Sequence, residues 1–313
     1  MTLFSAAHAA FPPVTLRCGV PASLPAAAYW RERFKLEGRA LFHQSQTRRW
    51  LRLLNSHPVL LEVVQHCPRV LYKIYRPYLT RSLSMDQRLA VLAYHYGFML
   101  RNGLGPLVAQ AARAGVVLAS VEGKSGSRYD IELRAAALFE REGELVLQLC
   151  EHGAAVYSVA FTFSDLTGRA AVTIGCTQGP NHGDGLAANR SATRELHGIR
   201  PKQLLVTLVR QLAYALGCGH VQLVGNANRV VLSALRQGKV CADYDQLWHE
   251  MGALERPDGD FQLRCEALAP PDLEAIVSKK RSEARKRHAV VETLAQQLAT
   301  RLCMAAQPLR ARA

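Results

Sequence analysis

Hydrophobic positions change their period partway along this chain. From Ala26 to about Gly115 the apolar residues recur at the three- and four-residue spacing of helices that face a core, broken by Pro58, Pro68, Pro77 and Pro106. Proline lacks an amide hydrogen and clashes with the preceding turn, so each marks a helix boundary. In "SMDQRLAVLAYHYGFML" Ser84 and Gln87 stand at the spacing of a capping box, and Leu89, Leu92 and Tyr96 follow on one face. Met1 to Pro25 carries four prolines and no period, which predicts an irregular arm.

After Val116 the pattern shortens. "RYDIELRA", "GELVLQLCE", "AAVYSVAFTFS" and "GRAAVTIGCTQG" alternate or run apolar over strand lengths between Gly and Asp turn signals, which predicts a mainly antiparallel sheet. Pro201 to Leu216 is helical, Gly217 and Gly219 stop it, and "HVQLVG" reads as a buried strand. That order predicts a crossover, with Ala171 to Thr177 and His220 to Gly225 as parallel neighbours. "APPDLEAIVSKKRSEARKRHAVVETLAQQLATRL" returns to helix, with Asp272 near its start and a stripe through Leu273, Ile276, Val277, Ala284, Val291, Leu294 and Leu298. The expected class is α+β or α/β: an arm at 1–25, a helical region at 26–115 and a mixed-sheet region at 116–313 that ends in a basic helix.

Charge adds a class of partner. Lys plus Arg number 39 against 25 Asp plus Glu, a formal +14, which steers anions toward the surface. Nucleic acid, an anionic membrane surface and phosphorylated small molecules all fit. The 8 cysteines are scattered singly, with no C-x-x-C, as in a reduced, cytoplasmic protein. The first residues lack the basic start and apolar run of an export signal, and no apolar run approaches the roughly 20 residues of a membrane helix.

The densest chemistry lies in "QGPNHGDGLAANRSATRELHGIRPKQLL", Gln178 to Leu205, where a buried strand is expected to run through a glycine-rich loop into a helix begun by Pro201. Outward amides at such a start carry partial positive charge, and Arg190, Arg194, Arg200 and Lys202 add full charges, so the segment suits an anion. The bland alternative is a surface loop whose glycines serve turns. Neither G-x-x-x-x-G-K-S/T nor G-x-G-x-x-G is present, so standard nucleotide loops are not supported. His197 could move a proton beside the anion or simply close the loop. His182 and Asp184 rank below it.

Elsewhere the readings are blander. His66 with Cys67 and Cys218 with His220 lack a matching second pair of metal ligands, and no G-x-S-x-G appears. His95, among aromatics on a helix, reads as packed. "SKKRSEARKRH", Ser278 to His288, suits phosphates, yet the apolar stripe passes through it, so its cations read as the outer face of a packed helix.

"HPVLLEVVQHCPRVLYKIYRPYL", "YHYGF", "EGELVLQL", "YSVAFTF", "IGCTQGP", "ATRELHGIRPKQLL" and "SKKRSEARKRH" occur here in the order seen in the VirK/YbjX family of Gram-negative bacterial proteins, which the chain resembles from about Ala26 to Leu302. That resemblance implies an association with virulence and with resistance to antimicrobial peptides, and no agreed reaction. Gly198 to Val230 is also similar to the acyl-CoA-binding segment of GNAT acyltransferases. The GNAT resemblance implies a pyrophosphate site at Gly198 to Lys202, with contacts from the amides there and Pro201 as part of the segment, and a role for Asn226 after the next strand. "WHEMGA" resembles that fold's Y-x-x-x-G-F, with Trp248 standing where the usual tyrosine acid would be and Gly252 at the glycine. The expectation is therefore an acyltransferase-like protein with acyl-CoA or another phosphorylated donor as ligand. His197 would transfer the proton, Arg190, Arg194, Arg200 and Lys202 would hold the anion, and Gln178 and Gly179 would contact the donor at the strand end. The alternative is a non-enzymatic basic accessory factor that binds an anionic membrane, a client protein or nucleic acid.

Overall fold

Residues 11–21, 23–135, 138–165, 168–180, 185–231 and 243–310 are described in a computed structural model. The expected helical region folds as α1 (Ala26–Phe42), α2 (Gln44–Leu54), α3 (Pro58–His66), α4 (Met85–Arg101) and α5 (Gly105–Arg113), with a 3-10 segment at Pro68–Tyr75 between α3 and α4. The capping box forms at α4: Gln87 donates its amide to Ser84 Oγ at 3.3 Å, and the Ser84 amide donates to Gln87 Oε1 at 2.8 Å. Pro58 and Pro106 occupy the first turns of α3 and α5, where a missing amide hydrogen costs nothing.

The described residues after α5 build an 8-stranded sheet in the order β1-β2-β3-β4-β5-β6-β8-β7. Its strands are β1 (Val116–Glu122), β2 (Arg128–Ala135), β3 (Leu145–Glu151), β4 (Ala154–Ser164), β5 (Ala171–Gln178), β6 (His220–Leu223), β7 (Leu254–Glu255) and β8 (Phe261–Arg264). β5 and β6 are parallel, with Ala171 opposite His220, and the other neighbouring pairs are antiparallel. Flanking helices are α6 (Gly185–Glu195), α7 (Pro201–Ala215), α8 (Tyr244–Glu250) and α9 (Ser278–Arg310). A single apolar cluster runs from Leu60 and Leu92 of the helical region through Leu147 and Phe161 of the sheet to Leu205 of α7 and Leu294 of α9. Each such fully buried leucine contributes about 1.5–3 kcal/mol, so the region boundary near 115 is a change of period and not a break in the core.

Two expectations need correction. The stretch expected as a glycine-rich loop before Pro201 contains α6, because "LAANRSATRE" is rich in good helix formers and buries Ala192, with Leu196 following just past the helix end. The C-terminal helix starts at Ser278, not near Asp272. Asp272 instead accepts the Glu274 amide at 3.0 Å in a local turn, and Val277 is exposed. The helix docks through Val290, Leu294, Leu298 and Leu302.

Candidate functional site

α6 and α7 meet at a tight turn. The Gly198 amide donates to Thr193 O at 2.7 Å and the Ile199 amide to Leu196 O at 3.0 Å, which closes α6 with left-handed residues at His197 (φ +55°) and Gly198 (φ +83°). Pro201 is buried and opens α7, whose start has no side-chain cap and no acidic residue in its first turn. The positive end of α7 therefore has no carboxylate of its own turn to neutralise it.

Beside this turn lies a groove of about 480 Å³, lined by Leu186, Asn189, Arg190, Thr193 and Arg194 of α6 with Arg200 and Lys202 at the start of α7. The α6 residues follow the spacing of one helix face. Among the described residues none of the lining side chains is acidic. Glu250 on α8 approaches from outside: Arg200 Nη1 lies 3.2 Å and Lys202 Nζ 3.9 Å from its Oε2. Arg190, Arg194 and Arg200 are exposed and Lys202 is half-buried, so the cations are accessible to a ligand. The groove can hold an anion of phosphate or pyrophosphate size next to the exposed apolar side chain of Leu186.

The structure thus gathers Arg190, Arg194, Arg200 and Lys202, while the other expected site residues lie outside the groove lining. His197 is half-buried, one turn beyond Arg194, and its carbonyl accepts from Arg287 Nε at 2.6 Å. Burial, then Lys124 and Lys286, lower its pKa, opposed by Glu283, so the ring is held toward its neutral, proton-accepting form. Gln178 ends β5 opposite Ser158, and Gly179 follows beside the Tyr157 ring. Of the amides expected to meet a pyrophosphate, those of Gly198 and Ile199 are spent on the end of α6, and Pro201 has none. Asn226 is spent too: its Nδ2 donates to Asp243 at 2.8 Å and its Oδ1 accepts the Tyr244 amide at 3.0 Å, fastening α8 to the end of β6. Trp248 is buried and donates to Val224 O at 3.0 Å. His182 and Asp184 lie outside the described residues.

His95 is packed among aromatics as expected, whereas the buried Lys73–Glu144 pair is not legible in the sequence. Lys73 and Glu144 form an ion pair at 2.5 Å with side chains 2% and 1% exposed, and Tyr96 OH donates to the second carboxylate oxygen at 2.6 Å. Burial raises the Glu144 pKa, but Lys73, His95 and the two donated hydrogen bonds outweigh it, so the net shift is down. His95 is fully buried against Phe163, accepts the Phe163 amide on Nδ1 at 3.2 Å and is pushed by burial down to about 4. On the other side of the sheet's alternation, Gln148 donates to Ser158 at 2.8 Å and Thr173 to Gln222 at 3.0 Å. Tyr244 rests on the end of β5, donating to Thr177 O at 2.9 Å and accepting the Thr177 amide at 2.8 Å. Among the described residues no cluster of His, Cys, Asp and Glu could hold a metal ion.

A family model described as a protein of unknown function, DUF535, matches residues 26–300. The chain belongs to the DUF535 family. Relatives of this DUF535 chain include an uncharacterised protein of Escherichia coli K12 named YbjX, 28% identical over 87% of this chain and 83% of the relative. An uncharacterised protein of Haemophilus influenzae is 25% identical over 90% of this chain and 91% of its own. A Mannheimia haemolytica protein named membrane protein LapB is 24% identical over 61% of this chain and 81% of its own. The VirK/YbjX resemblance is thereby borne out for family membership. No solved structure matches the chain. Among the described residues no helix of this DUF535 chain is long and apolar enough to cross a membrane.

Proposed function

We propose that the protein binds a phosphorylated acyl donor, with acyl-CoA as the type ligand, and acts as an acyltransferase-like enzyme in the virulence- and envelope-associated setting that the VirK/YbjX resemblance implies. The observation that carries this reading is the convergence of Arg190, Arg194, Arg200 and Lys202 on one groove. Clustered guanidinium groups bind phosphates through paired, charge-assisted hydrogen bonds. The α7 start adds its partial positive charge, and Leu186 offers apolar surface to the rest of the donor. His197, held toward its neutral form, is the proton acceptor in this reading. Mass spectrometry of small molecules carried through purification tests it: acyl-CoA should accompany the wild type and be lost from Arg190→Glu. Protein that carries no phosphorylated small molecule, and takes up none when incubated with acyl-CoA, refutes it.

A second reading rests on the exposed cations Lys279, Lys280, Arg285 and Lys286 on the outer side of α9. It is a non-enzymatic accessory factor whose basic helix holds an anionic partner. Such binding should weaken steeply as salt rises, with no acyl transfer at any salt.

A further inference from the structure

Helix α1 has two apolar faces, and the fold uses one of them. Leu36 and Tyr29 pack with Val20, Tyr72 and Tyr75. On another side Trp30, Phe34 and Leu41 are 49%, 66% and 68% exposed, and Phe42 at the helix end is 88% exposed. At about 100° per residue, positions 30, 34 and 41 fall within roughly 40° of one another. Gly38 borders the stripe, and a Cβ added there would meet nothing within 4 Å. The Trp30 and Phe34 rings lie 5.9 Å apart, forming one aromatic surface.

Cations border this surface. Arg31 is exposed and Arg33 is half-buried, each about 80° round the helix from the centre of the stripe on opposite sides, and the Arg33 guanidinium lies 5.5 Å from the Trp30 ring centre. The neighbouring α2 carries exposed Arg48 and Arg52 and contains no acidic residue, while its Arg49 is paired with Asp86 at 3.1 Å. Both acidic residues of α1 are engaged with cations of the same helix, Glu32 with Lys35 and Glu37 with Arg33.

We propose that this face of α1 docks on an anionic phospholipid bilayer, with Trp30, Phe34, Leu41 and Phe42 at the boundary between headgroups and acyl chains. Arg31 and Arg33, which flank the stripe, then meet lipid phosphates. Contiguous exposed aromatics are uncommon on surfaces that face only water, and a tryptophan beside flanking cations matches the interface region of a bilayer. A second copy fits poorly, because pairing this face with itself brings the same cations together. The surface uses neither the groove between α6 and α7 nor the cations of α9, so it goes beyond both readings above and stands or falls separately.

The test uses the full chain with vesicles of phosphatidylglycerol or of phosphatidylcholine. Of the 3 tryptophans, Trp50 and Trp248 are 1% and 0% exposed, so a change in fluorescence on binding reports Trp30. The wild type should sediment with phosphatidylglycerol vesicles, with a blue-shifted emission, and bind phosphatidylcholine at least about tenfold more weakly. The variant Phe34→Gln/Leu41→Gln/Phe42→Gln changes exposed side chains only and should keep the wild-type melting curve, yet lose about tenfold or more of its vesicle binding. Failure of the wild type to bind phosphatidylglycerol overturns the proposal, as does equal binding by the triple variant. Binding kept by the triple variant but lost in Lys279→Glu/Lys280→Glu assigns the contact to α9 and overturns it. So does a solution dimer that the triple variant dissociates.

Discussion

Arg287 donates from Nε to the carbonyl oxygen of His197 at 2.6 Å, tying α9 to the turn between α6 and α7. That turn holds a left-handed histidine and a left-handed glycine in succession. A Cβ on Gly198 would come within 2.6 Å of Arg287 Nη2, the end of a flexible exposed side chain that can move aside, so it is the left-handed φ that calls for glycine here. Gly198→Ala should cost about 1–3 kcal/mol in urea denaturation, and no loss would contradict this left-handed backbone. His197→Gly should gain up to about 1 kcal/mol by removing left-handed strain. If His197 moves the proton, the same variant is more stable and inactive, an outcome that a purely structural histidine does not produce.

The Lys73–Glu144 pair predicts a non-additive pair of mutations. Lys73→Met leaves a buried carboxylate without its cation and should cost about 3–5 kcal/mol. Adding Glu144→Gln removes the charge but keeps an acceptor for Tyr96, so the double variant should recover more than half of that loss. Additive losses by urea titration would show that the two charges do not interact.

His95 predicts a pH window. Its folded pKa of about 4 lies below the ordinary histidine value of 6.5, so the unfolded chain binds the proton more tightly between those limits. Stability should therefore be full above about pH 6.5, fall by about 3 kcal/mol as pH drops toward 4, and lose nothing further from this group below that. His95→Asn offers a non-titrating acceptor to the Phe163 amide and should flatten that part of the curve. An unchanged slope in chemical denaturation between pH 6.5 and 4 would contradict the assignment.

Glu250 competes with any ligand for Arg200 and Lys202. Glu250→Gln removes the competing charge and should tighten pyrophosphate binding several-fold at low salt, with the gain shrinking as salt rises. Weaker binding in this variant would mean that Glu250 positions the cations instead of occupying them.

Much of the fold is visible in local patterns. "RYDIELRA" and "AAVYSVAFTFS" coincide with β2 and β4, Ser84 and Gln87 form their capping box, and the crossover brings β5 and β6 together in parallel. α6 does not stand out in the sequence because Pro180, Gly183 and Gly185 lead into it and Gly198 and Pro201 follow it, although Leu186, Asn189, Arg190, Thr193 and Arg194 keep the spacing of one helix face. β7 and β8, at 2 and 4 residues, are too short to show a period. The gathering of Arg190, Arg194, Arg200 and Lys202 could be read locally because only a turn separates the two helices. The Lys73–Glu144 pair could not, since its partners are 71 residues apart and meet only through packing of the helical region on the sheet.

Calorimetric titration of acyl-CoA, with pyrophosphate as a smaller probe, tests the central claim most directly. The wild type should bind both ligands, acyl-CoA the more tightly because Leu186 adds apolar contact. Arg190→Glu/Arg194→Glu should weaken both by at least about tenfold, the effect of losing one charge-assisted hydrogen bond of about 1.5 kcal/mol. Equal affinity in the wild type and the double variant, or no heat from either ligand, would contradict an anion site between α6 and α7.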